Sequence, residues 1–295
     1  MSTSRKIKGR MIAAGAAAAL MLAGVLATPF APEAHAQTGR AYVAMGDSFP
    51  ANPDIPEQLQ GLIAGDCVQR SDAYPDLIGA EAYGGNYVNL ACNGTTLTGA
   101  AGPGIIHNMN TAHARGEIGP ATQLVTITAG AAEGWNPAAP GGRDFGFLDG
   151  ANYVTPQSWT DRMGPVVDRI HEIAPNARVM VVGYPEVGNG QGAICLLNLS
   201  GGMNSSSGPG NLPLAVPTPF EHYIDKINGL AASHQHLGYE YVNTDQPGTG
   251  SCAAPDNQWV RSIIDIPGAG DGIRMPVHPT AIGDRGVADI VQSRI

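Results

Sequence analysis

Arg40–Phe49 reads RAYVAMGDSF, and this stretch decides how the rest of the chain is read. Arg40–Met45 is rich in β-formers and small apolar residues, without strict apolar/polar alternation, as expected of a strand buried on both faces of a parallel sheet. Gly46-Asp47-Ser48 then ends it. Ligands of parallel α/β folds bind beyond the carboxyl ends of strands, where the chain turns toward a helix. A serine there presents its hydroxyl at the sheet's edge, with neighbouring N–H groups free to meet an oxyanion. The same residues would also serve as an Asp/Ser helix cap.

Working outward, four more runs read as strands: Tyr87–Ala91, Leu124–Thr128, Arg178–Val182 and Tyr239–Val242. Helical spacing of apolar residues predicts helices over Ser71–Ala82, Gln157–Ile173, Thr218–Leu237 and Thr280–Ile295. Strands alternating with helices predict βαβ units and a parallel sheet between helix layers. Gly134–Thr155 and Glu186–Pro217 read as long loops, and no repeat of fixed period is present.

The first residues have a separate purpose. Arg5, Lys6, Lys8 and Arg10 precede an apolar run from Met11 to about Ala27, and Ala34-His35-Ala36 follows. Basic segment, apolar segment and small-x-small site form the layout of a secretory signal peptide, predicting cleavage after Ala36. Residues 37–295 then suit one α/β domain, with no stable membrane span expected. Removing those four cations and Glu33 takes the net charge from -9 to -12. That sign repels phosphate backbones and anionic lipid surfaces, so nucleic acid is not an expected partner. Cys67, Cys92, Cys195 and Cys252 form an even set, which in an exported chain predicts two disulfides in one of three connectivities. None has C-x-x-C spacing, and no metal or organic cofactor is implied.

A serine hydroxyl is a weak nucleophile until a base takes its proton. His107, His113, His171, His222, His234 and His236 lie on helix patterns or in loops with no distinctive surroundings. His278 differs: Met275-Pro-Val-His-Pro-Thr280 brackets it with prolines, which restrict the backbone and hold an imidazole in one place.

Gly46-Asp47-Ser48-Phe49 resembles the first block of the SGNH (GDSL) hydrolases, and Val277-His278-Pro279 resembles their final histidine block. Tyr87–Thr95 (YVNLACNGT) is similar to the second block, with Gly94 where a glycine lends its N–H to the oxyanion hole. Cys67-Val-Gln-Arg-Ser71 and Gly183-Tyr184-Pro185 resemble segments of secreted actinobacterial members. The resemblance implies a three-layer α/β/α fold with a five-stranded parallel sheet of flavodoxin-like type. It implies Ser48 as nucleophile, His278 as general base, and Ser48 and Gly94 N–H groups as oxyanion donors. It also implies a Cys67–Cys92 bridge, which leaves Cys195–Cys252 as the second. No G-x-S-x-G is present, so the α/β-hydrolase elbow is not the model.

Two departures stand out. Where the third block has G-x-N-D, its Asn donating to the oxyanion, this chain reads Gly130-Ala131-Ala132-Glu133. Loss of one such donor removes about 10²–10³ in kcat; Asn136 is a candidate substitute. The Asp found three residues before the histidine in many members is Met275 here, so either the Met275 carbonyl or Asp271 is expected to orient His278. The expected function is a secreted, monomeric carboxylic-ester hydrolase acting on a small acyl ester or lipid, with acyl transfer open at the same site. The alternative is a degenerate member that binds an envelope glycan or lipid without turning it over.

Overall fold

The computed structural model describes residues 38–99, 104–136, 144–145, 154–198, 215–265 and 274–295. The expected signal peptide and Asp271 lie outside them. Five strands, Tyr42–Gly46 (β1), Tyr87–Asn89 (β2), Leu124–Thr128 (β3), Arg178–Val182 (β4) and Glu240–Val242 (β5), form one parallel sheet in the order β5-β4-β3-β1-β2. Tyr42 lies level with Leu124 and Tyr87, and Leu124 with Arg178.

Among the described residues, seven helices accompany it: Ser48–Ala51 (α1), Ile55–Ala64 (α2), Tyr74–Ala82 (α3), Ile105–Ala114 (α4), Pro156–Ile173 (α5), Pro219–Ser233 (α6) and Ala281–Gln292 (α7). Successive strand residues face opposite sides of a sheet, and here both sides are apolar. Val43, Met45, Val125, Ile127, Val179 and Val181 join Met109 of α4, Met163 and Ile170 of α5 and Ile227 of α6 in one core. Tyr42, Ala44, Leu124, Met180 and Val182 join Tyr74 and Ile78 of α3 and Val287 and Val291 of α7 in the other. The result is a three-layer α/β/α sandwich.

Local chemistry sets the element boundaries. Pro75 and Pro156 stand in the first turns of α3 and α5, where their missing N–H would have had no helical partner anyway. Thr155, Thr218 and Thr280 cap α5, α6 and α7 with their hydroxyls. The two stretches read as loops contain short pairings. Trp135–Asn136 runs antiparallel to Asp144–Phe145, Ala193–Cys195 runs antiparallel to Ala215–Pro217, and Leu197–Asn198 runs parallel to Ile264–Asp265. Among the described residues, no helix is long and apolar enough to cross a membrane.

The strand order reverses between β1 and β3. Connections from these neighbours leave toward opposite faces, which opens a crevice at their carboxyl ends. The residues after β1 and β3 are those that the first and third sequence blocks supply.

Candidate active site

Gly46 makes the approach to this crevice possible. Its φ is +149°, and a Cβ there would stand 2.1 Å from the Thr128 carbonyl oxygen, so only glycine lets β1 run against β3 to its last residue. Asp47 N–H then donates to that carbonyl at 3.0 Å. Asp47 does cap α1, its Oδ1 accepting from Phe49 N–H at 2.9 Å, and Ser48 follows as the first helical residue. The other carboxylate oxygen accepts from the Tyr184 hydroxyl at 2.5 Å. Burial pushes the Asp47 carboxyl up to about 6, against the lowering effect of the Tyr184 and Phe49 bonds.

Ser48 opens into a pocket of about 630 Å³, a volume suited to a small ligand. Gly94, Ala132 and His278 line it too, so residues from all four sequence blocks meet in one cavity. Val187, Ile194, Phe220, Ile224 and Ile263 give it an apolar flank.

The histidine loop is held from several directions. His278 Nδ1 lies 2.7 Å from the Pro276 carbonyl oxygen. A carbonyl only accepts, so Nδ1 carries the proton and Nε2 is left with its basic lone pair. This corrects the sequence reading by one residue, because the carbonyl on the ring belongs to Pro276 and not to Met275. The reason is local: Val277 takes φ +59°, a left-handed conformation unfavourable for a β-branched residue, which folds the ring back over the preceding turn. Nε2 is shielded from solvent and has no hydrogen-bond partner. Burial lowers the imidazole's pKa below its ordinary value, with the Pro276 bond acting the other way. The His278 carbonyl accepts from Arg261 N–H at 3.0 Å, and the ring stands 6.1 Å from that of Phe49.

Behind this loop lies a network that the sequence reading missed. Asp284 on α7 is fully buried and accepts from Asn52 Nδ2 at 2.6 Å, Tyr74 N–H at 3.0 Å and Arg274 Nη1 at 3.1 Å. Asn52, which follows α1, also donates to the Pro279 carbonyl at 3.1 Å. Arg274 reaches Asp72 at 3.1 Å, and Arg70 pairs with both Asp72 and Asp54. One carboxylate thus ties the serine segment to the histidine segment.

On the opposite wall, Cys92-Asn93-Gly94-Thr95 is a β-turn closed by Thr95 N–H to the Cys92 carbonyl at 3.0 Å, with Gly94 at φ +73° as a type II turn requires. Cys67 is bonded to Cys92 and Cys195 to Cys252, with Cα separations of 4.9 and 5.1 Å. Ala132 lines the pocket, and its side chain carries no donor. Glu133 is drawn inward instead, accepting from Leu97 N–H and pairing with Arg162 at 2.7 Å. The Asn136 side chain lies outside the described residues. Among the described residues, no group of three or more His, Cys, Asp or Glu could hold a metal ion.

No family model matches the chain. Lipase 2 of Streptomyces coelicolor is 26% identical to it over 288 residues, covering 89% of this chain and 88% of the relative. Lipase 1 of the same organism is 26% identical over 291 residues, covering 90% and 91%. Among solved structures, the extracellular lipase of Streptomyces rimosus superposes with a TM-score of 0.54 at 20% identity, covering 86% of this chain and 99% of that one. Phospholipase A1 of Streptomyces albidoflavus NA297 gives 0.53 at 21%, covering 88% and 100%. These two structures share the fold, and the sequence blocks fall in family order around one pocket at its switch point. In its sequence blocks, its lipase relatives and its fold, the chain resembles the SGNH (GDSL) hydrolases.

Proposed function

We propose that the chain is a secreted, serine-dependent carboxylic-ester hydrolase, cleaved after Ala36 and working without a cofactor. The observation that carries the reading is a histidine with Nδ1 engaged and Nε2 basic, sharing one apolar pocket with a serine at the carboxyl end of β1. The names of the two lipases similar to it support an ester substrate, and the pocket's apolar flank suits an acyl chain. The signal layout and two disulfides support export.

In the first step Ser48 Oγ bonds to the acyl carbon while its proton passes to His278 Nε2, and the carbonyl π pair moves onto oxygen. Backbone N–H groups of Ser48 and Gly94 donate to that oxyanion. Collapse restores the carbonyl and breaks the bond to the alcohol oxygen, which leaves with the proton from Nε2. Water then repeats the sequence on the acyl-serine ester, releasing the acid and free Ser48. An alcohol in place of water gives acyl transfer.

Ala132 in the position of the family's Asn favours a second reading, a binder of an envelope glycan or lipid that retains the site without turnover. p-Nitrophenyl esters of increasing acyl length, offered to the chain from Gln37 onward, separate the two. Turnover that disappears in Ser48→Ala supports the hydrolase; absence of turnover on every ester supports the binder.

A further inference from the structure

The polar side chains that line the pocket are engaged, with one exception. Asp47 and Tyr184 bind each other, the Thr218 hydroxyl caps α6, and Ser48 and His278 are the proposed reacting pair. Asn93 remains. Its Nδ2 lies 3.2 Å from Met275 Sδ, and its Oδ1 is buried without a partner. Thioether sulfur is a weak acceptor and donates nothing, so in either orientation of the amide one polar atom has no partner. Oδ1 can only accept, whereas the Nδ2 donor, held by nothing stronger than a thioether, has capacity for a catalytic role.

Position supplies one. Asn93 immediately precedes Gly94, whose N–H points to the oxyanion in the reading above, and Met275 stands three residues before His278. The turn that carries both is fixed by the Cys67–Cys92 bridge and by Cys92 N–H to the Gly46 carbonyl at 3.0 Å. We propose that the Asn93 side-chain amide donates the third hydrogen bond to the oxyanion, in place of the amide that Ala132 lacks. In the resting site Met275 sulfur holds the amide loosely beside the base. As negative charge forms on the substrate oxygen, Nδ2 exchanges a weak neutral contact for a charge-assisted hydrogen bond. An interaction that strengthens only on the way to the transition state raises kcat and leaves KM nearly unchanged.

This inference rests on the Ser48–His278 hydrolase reading, and the test separates the two. Turnover of p-nitrophenyl acetate is compared for the parent, Ser48→Ala, Asn93→Ala, Asn93→Leu, Ala132→Asn and the Asn93→Ala/Ala132→Asn double variant, each checked for a native melting transition. The expected result is a fall of about 10²–10³ in kcat for both Asn93 variants, with KM within about threefold. Ala132→Asn then restores at least about tenfold to Asn93→Ala and gains clearly less in the parent, a coupling that a merely structural Asn93 would not show. Asn93→Ala within about threefold of the parent's kcat, or Ala132→Asn acting equally in both backgrounds, overturns the donor role and leaves the hydrolase reading standing. A parent without turnover, or activity that survives Ser48→Ala, overturns the hydrolase reading and this inference with it.

Discussion

The wall of the pocket that carries His278 is backed by paired charges, whereas the wall that carries Asn93 and Gly94 is an uncharged β-turn anchored by a disulfide. On the first wall Arg274 and Asp284 are buried, and their network joins α1, α3, α7 and the histidine loop. On the second, a disulfide and one β-turn fix the backbone, and the Asn93 amide is held only by Met275 sulfur. In the proposed function the difference follows from what each wall would do. A general base must be held in one place and one tautomer before substrate arrives, so its supports are in place in the resting protein. Oxyanion donors must keep their capacity free, because their partner exists only during the reaction.

Removing the base has the largest expected effect. His278→Ala lowers kcat for p-nitrophenyl acetate by about 10⁴–10⁶ while the melting temperature stays near the parent's. Loss of stability in place of activity would mean that the loop's supports, and not its imidazole, dominate that wall.

Arg274→Ala comes next. It leaves Asp284 buried without its cation, and loss of one member of a buried pair destabilises by about 3–5 kcal/mol. Thermal unfolding should show a fall of roughly 10 °C in Tm. A change below about 1 kcal/mol would show that the pair is not the clamp described here.

On the other wall, Cys67→Ser/Cys92→Ser is expected to lower stability by about 2–4 kcal/mol, read from denaturant unfolding. Because the bridge anchors the turn at Gly94, kcat should fall as well, and an unchanged kcat would show that the turn holds its shape alone.

The smallest effect is on the pH profile. Burial lowers the His278 pKa, and only neutral imidazole can act as base. Activity therefore rises with pH through a midpoint below 6.5 and is flat across neutrality. An acid limb in kcat/KM centred at or above 6.5 would contradict the burial of that ring.

The strands and the later helices were legible because burial on both sheet faces leaves uninterrupted apolar runs, and α5 and α7 each bury one stripe. α2 was not, since Ile55, Leu59 and Ile63 face solvent and no core selects their spacing. In α4 the buried Ile105, Met109 and Ala112 are interleaved with His107, Asn108 and Asn110, which mask the period. Ser48, Gly94 and His278 could be singled out because each follows a recognisable local pattern. The Tyr184–Asp47 bond spans 137 residues and Asn52–Asp284 spans 232, so no window of sequence contains either pair. The shift from the Met275 to the Pro276 carbonyl depends on a left-handed valine, which local preference argues against.

The central claim is that Ser48 is a nucleophile activated by His278. A fluorophosphonate probe incubated with the folded chain from Gln37 onward, followed by peptide mass spectrometry, tests it most directly. The account predicts one phosphonyl adduct per chain, on the peptide containing Ser48, lost in Ser48→Ala and strongly slowed in His278→Ala. Absence of labelling on that peptide, or labelling unaffected by His278→Ala, would contradict it.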